Sequence, residues 1–151
     1  MDPTSSLISI IFTLNVLWFG AGFLQFSLRS ESAAKGLVQK ELRSSPLFRT
    51  LSGSLRFLGG LNLSLSLFAL LVVANLTIFP EGRQIALFAI VFAVAHGTQF
   101  FVNVPIALDG RKPGGSPPWQ VLSGLMLFIF VIDFVLMACN SILAVALWVS
   151  Q

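Results

Sequence analysis

Four uninterrupted apolar runs dictate what this chain can fold into. They extend from Leu7 to Leu28, from Phe57 to Phe79, from Ile85 to Leu108 and from Val121 to Val149. A helix rises about 1.5 Å per residue, so about 20 residues cross a hydrocarbon core of about 30 Å. Each run is long enough. Lipid offers no partner for backbone N–H and C=O groups, so a segment of this kind satisfies them itself as a helix. The turn Pro80-Glu81-Gly82-Arg83-Gln84 is too short to do anything but return the chain antiparallel. These runs predict an all-α integral membrane protein, four transmembrane helices in one up-and-down antiparallel bundle spanning the 151 residues. Composition agrees: 56% of residues are apolar and 10% charged, against roughly a quarter charged in soluble domains and the opposite bias in disordered chains. The runs leave no room for a separate soluble catalytic domain.

Charge predicts the orientation. The segment from Arg29 to Arg56 holds six Lys or Arg, the segment from Asp109 to Gln120 holds two, and the Pro80 to Gln84 turn holds one. In an even topology both basic segments share a side, which the positive-inside rule makes cytoplasmic, with both termini on the other side. The net charge of +3 then reflects membrane orientation and contact with anionic lipid rather than nucleic acid. The N-terminus lacks the basic region of a signal peptide, and the first run exceeds a signal core, so it is expected to be retained. Trp119 and Trp148 flank the fourth run at a separation suited to interfacial anchors. Trp18 lies mid-span, packed between helices or against lipid. Cys139, a lone cysteine, reads as a packing residue, and Asn75-Leu76-Thr77 as a chance glycosylation spelling inside an apolar run.

Between the first two runs, residues 31–43 could form a short interfacial helix with Leu37, Val38 and Leu42 on one face. Ser45 followed by Pro46 is a helix-start signal, an N-cap and then Pro at the first position. The second helix is therefore expected to begin at Pro46 and to carry Arg49 and Arg56 through the interface. Gly53, Gly60 and Ser64 line one of its faces and would permit close helix packing. Asn62, Ser66 and Ala69 form a second stripe, which suggests a central position for this helix. Gly22 belongs to a similar seam on the first helix, with Asn15 and Gln25 nearby.

An ionisable group at mid-membrane costs about 2.5 to 3.5 kcal/mol on the insertion scale. His96 lies at the middle of the third run and Asp133 close to the middle of the fourth. At 100° per residue, His96, Gln99 and Asn103 share a narrow arc with Phe92, and Asp133 shares one with Asn140, flanked by Met126 and Met137. Two readings of this polar cluster are open. It can be a satisfied hydrogen-bonded group that fixes helix register, or a proton relay or counter-ion for a substrate. Pro105 removes the hydrogen bond to the Phe101 carbonyl and predicts a local kink that shapes the helix exit.

No metal set can be assembled from one His, one membrane Asp and one Cys, and neither a phosphate loop nor a nucleophile motif is present. No catalytic residue and no cofactor is named by the sequence. The segment Arg56-Phe-Leu-Gly-Gly-Leu-Asn62, entering a span after a basic loop, resembles the DoxX-like group of small four-helix membrane proteins. The likeness covers about residues 46 to 149 in layout, implies a four-helix bundle and transfers no catalytic residue. The leading expectation is a non-catalytic accessory or assembly subunit, self-associating or docked to a larger membrane partner. The alternatives are a small proton-coupled transporter or channel using Asp133 and His96, and a binder of lipid, quinone or pigment in an interior around Phe92, Phe100, Phe128 and Phe130.

Overall fold

Four long helices, each apolar enough to span a bilayer, pack antiparallel in the computed structural model, which describes residues 3–150. The first, α1 (Pro3–Phe23), continues as a π-helical turn over Leu24–Leu28. A short α2 (Ser30–Leu37) follows, then α3 (Pro46–Ala74), α4 (Gly82–Gly110) and α5 (Gly124–Val149). Exposed Leu, Ile, Val and Phe cover the outer surface of all four long helices. Such a surface is stable only in lipid.

Local chemistry sets the helix ends. Ser45 is extended (φ −67°, ψ 143°) and its Oγ accepts from the Leu47 N–H at 3.3 Å, with Pro46 in the first turn. At its other end α3 stops at Ala74, five residues before the apolar run ends. Asn75 leaves helical geometry there, a 3₁₀ turn covers Leu76–Ile78, and Phe79, before Pro80, is non-helical (φ −114°, ψ 72°). Asn75-Leu76-Thr77 therefore lies in a turn rather than inside a span. α5 begins at Gly124 rather than Val121, because residues 121–123 turn and Gly124 takes φ 54°, a left-handed conformation suited to glycine. α4 runs unbroken through Pro105.

The buried residues recur at alternating three- and four-residue steps. They are Phe12, Asn15 and Phe19 on α1, Gly59, Asn62, Ser66 and Ala69 on α3, Ile85, Ala89, Phe92 and His96 on α4, and Asp133, Leu136, Asn140, Leu143 and Leu147 on α5. A 3.5-residue period keeps one seam of each helix facing its neighbours over the whole membrane depth. The helices associate as two tight pairs, α1 with α3 and α4 with α5. Small residues make the first pair close. A side chain at Gly59 would run into Ser27, backbone included, one at Gly22 would meet Asn62 at 2.7 Å, and Ser66 Oγ donates to the Val16 carbonyl at 2.9 Å. In the second pair Gly97 faces Met137. Between the pairs stand aromatic rings: Phe12, Phe19 and Phe68 all contact Phe92, and Phe68 and Phe79 contact Phe88.

The second long helix, α3, has neighbours on more than one side, α1 and α2 and, through Phe68, α4. α1 does too: one face takes up α3, while Phe12, Asn15, Trp18 and Phe19 reach α4 and α5. Two sequence expectations are corrected here. On α3 the inner stripe is Gly59, Asn62, Ser66 and Ala69. Gly53, Gly60 and Ser64 face outward, and neither glycine has another part of the chain within 4 Å. In the basic loop the helix ends at Leu37. Val38 is extended, Leu42 is exposed, and the buried face of α2 is Ser30, Ala33 and Ala34 against Phe48 and Leu55. Arg43 caps α2, donating from its guanidinium to the carbonyls of Lys35 (2.7 Å) and Val38 (3.1 Å).

Candidate functional site

The polar cluster joins three helices at the membrane midplane. His96 is the central residue of α4, Asn15 lies near the middle of the first span, and Asp133 and Asn140 flank the middle of α5. All four are fully buried, at 0% exposure. His96 Nδ1 is 3.0 Å from Asp133 Oδ1, and His96 Nε2 is 2.9 Å from Asn15 Oδ1. Asn15 and Asn140 exchange hydrogen bonds at 3.0 and 3.2 Å. The Trp18 indole N–H donates to Asp133 Oδ1 at 2.9 Å. The imidazole also stacks on Phe19, 4.6 Å between centroids.

The amide nitrogens of Asn15 and Asn140 each donate to a carbonyl one turn back, Ile11 at 2.9 Å and Leu136 at 2.8 Å, so neither amide can be reversed without setting oxygen against oxygen. Asn15 Oδ1 is therefore an acceptor facing His96 Nε2, and both ring nitrogens have an oxygen within hydrogen-bond distance. Hydrogen bonding of this kind offsets part of the desolvation cost of burying the pair. Within this cluster, Asp133 Oδ2 has no partner among the described residues.

The other polar residues are placed apart from this core. The Asn103 amide donates to the Gln99 carbonyl at 2.8 Å, and its Oδ1 accepts from the Trp119 indole at 2.9 Å. Trp119 thus folds over α4, ahead of the start of α5. Trp148 is half exposed at the opposite end, with the Arg83 guanidinium 5.7 Å from its ring centroid. Gln99 and Gln25 have side chains with no polar partner among the described residues, and both line a cavity.

That cavity is one of three adjoining ones. Toward the side of α2 and the 109–123 loop, two partly open cavities of about 260 and 220 Å³ and a more open one of about 350 Å³ lie between the two helix pairs, all bounded by Phe26 and Ile129. The first reaches up to Trp18 and carries Gln25, Arg29, Asn62 and Gln99 among apolar walls. Trp18 therefore stands between the cavity and the His96–Asp133 pair. Toward the termini the interior is filled by Ile8, Phe12, Ala69, Ala89, Phe92, Leu143 and Leu147. The Phe residues that suggested a binding interior are each engaged with another aromatic ring: Phe92 is fully buried against Phe12, Phe19 and Phe68 in this filled half, Phe100 stacks on Phe130 at 4.7 Å, and Phe128 packs edge-on against Trp18. A separate open groove of about 840 Å³ lies between α4 and α5 on the outside, lined by Gly97, Met137 and other apolar side chains.

Sequence reasoning missed Trp18 as a donor to Asp133, since Trp reads as apolar in a hydropathy pattern. It also missed the π-turn, where the Arg29 N–H reaches back to the Leu24 carbonyl at 3.0 Å. The spacing of Asn15, Trp18 and Gly22 on one arc was the available signal. No protein family, curated protein or solved structure matches the chain.

Proposed function

We propose that this integral membrane protein is non-catalytic and works by holding a lipid-like amphiphile between its two helix pairs. The observation that carries this reading is the hollow half itself, three adjoining cavities with apolar walls and a few amides. Ligand sites of this kind are concave and mostly apolar, with a small number of polar groups that set orientation. The midplane cluster supports a structural role for His96 and Asp133, because both ring nitrogens are engaged and the pair is shut off by Trp18 and Phe19. Proton-coupled transport lacks comparable support. The basic residues favour a cytoplasmic hollow half, with both termini across the membrane. The likeness of residues 56–62 to the DoxX-like group bears on layout alone. Mass analysis of small molecules released from protein purified in mild detergent tests the reading. A retained amphiphile that is lost in Ile129→Trp is expected, and a protein that retains none contradicts it.

A second reading, an accessory subunit that self-associates or docks to a membrane partner, is favoured by the outward stripe of Gly53, Gly60 and Ser64. Cross-linking in native membranes tests it. Adducts through Gly60→Cys are expected, and a monomer with no adduct contradicts it.

A further inference from the structure

We infer that the guest is an anionic phospholipid, bound with its phosphate at Arg29 and its ester region against Gln25 and Gln99. This rests on the amphiphile-holding reading above and assigns the head group. The cavity that reaches Trp18 has a graded lining. Arg29 stands at its loop-side mouth, Gln25 one turn deeper on the π-turn, Asn62 across from Gly22, and Gln99 one turn below His96. Beside these amides, on the same loop side, an adjoining groove runs between Phe26, Leu58, Met126 and Ile129.

Charge at the mouth selects the head group. Among the described residues the ion pairs are Glu31 with Lys35, Asp109 with Lys112 and His96 with Asp133, so Arg29 has no carboxylate partner, and its guanidinium makes no hydrogen bond in the chain. Arg56 donates to the Oγ of the neighbouring Ser30 at 3.4 Å and lines none of these cavities. One uncompensated guanidinium at the interface end of an apolar cavity matches a phosphate with no cationic group of its own. One turn deeper, the free carboxamides of Gln25 and Gln99 supply N–H donors where the ester carbonyls of a diacylglycerol unit would lie. A fatty acid has no ester carbonyls to accept from these two half-buried amides. The π-turn aids this placement. Its extra residue per turn lets Gln25 face the cavity while Ser27 Oγ reaches the Arg56 carbonyl at 3.1 Å on the α3 side.

The test uses full-length protein equilibrated with vesicles of equal phosphatidylglycerol and phosphatidylcholine, re-extracted in mild detergent, with the retained lipid weighed by native mass spectrometry. Wild-type protein is expected to retain phosphatidylglycerol over phosphatidylcholine by about five-fold or more, the worth of one basic side chain against an anionic lipid. Arg29→Gln is expected to lose most of that preference while retaining the same total lipid. Gln25→Leu is expected to lower retention of both lipids together, and Ile129→Trp to abolish retention. Equal retention of the two lipids by wild type, or an undiminished preference in Arg29→Gln, overturns the head-group assignment and leaves the amphiphile reading standing. Absence of any retained lipid overturns both.

Discussion

The two halves of the bundle solve the same packing problem with opposite results. On the side of the termini, Phe12, Phe68, Phe88 and Phe92 fill the gap between the helix pairs, and Ala69, Ala86 and Ala89 let their helices approach. On the side of the loops, the facing positions include Gly22, Gln25, Asn62 and Gln99, which are too small or too polar to close an equal gap. Lipid tails are as apolar as Leu, so close packing rather than water exclusion holds helices together here. One half therefore binds itself, and the other leaves room for a guest. The midplane cluster of Asn15, His96, Asp133 and Asn140 separates them and ties α1 to the α4–α5 pair.

Substitutions that break this contrast should rank accordingly. Asp133→Ala removes the acceptor of both Trp18 and His96, and should cost about 3–5 kcal/mol in unfolding from mixed micelles, as for other buried pairs cut on one side. Asp133→Asn keeps a carbonyl acceptor and should cost about 1–2 kcal/mol. An equal loss for the two would mean that the carboxylate charge, not the hydrogen bonding, supports the fold. Phe92→Ala should cost about 3 kcal/mol or more by opening a void in the filled half. Ile129→Ala, at a wall already lacking neighbours, should cost about 1 kcal/mol or less, and a similar cost at both sites would abolish the distinction between halves. Adjacent glycines give a finer comparison. Gly59→Ala should cost about 1–3 kcal/mol through overpacking against Ser27, whereas Gly60→Ala, with nothing within 4 Å, should be neutral or slightly stabilising through helix propensity. Helix-specific circular dichroism during denaturation would read each of these pairs.

Much of the architecture is legible in the sequence, because run length against bilayer thickness decides the number of spans, and Ser45-Pro46 marks a helix start. The other ends are not, since Asn75 and the left-handed Gly124 act through local backbone geometry that hydropathy does not encode. Which residues share a face follows from the 100° step, so the arc of His96 and that of Asp133 can be drawn in advance. What each arc meets cannot, because it depends on helix rotation and separation. This is why Gly53, Gly60 and Ser64 point outward although they share a helix face just as the inner stripe does, and why Trp18 had no visible polar role. The cavities have no sequence signature of their own, since they arise from what is missing at several distant positions at once.

The most direct test of a sealed half and a receptive half is the set of magnetisation-transfer contacts between side-chain methyls and lipid acyl chains, recorded in bicelles with deuterated detergent. Both Ile129 and Leu58, on the cavity walls, should show strong contacts with acyl protons, while Ala89 and Leu143, in the filled seam, should show none. Silence at Ile129 and Leu58, matching that of Ala89, would show that the loop half closes on itself and would contradict the account.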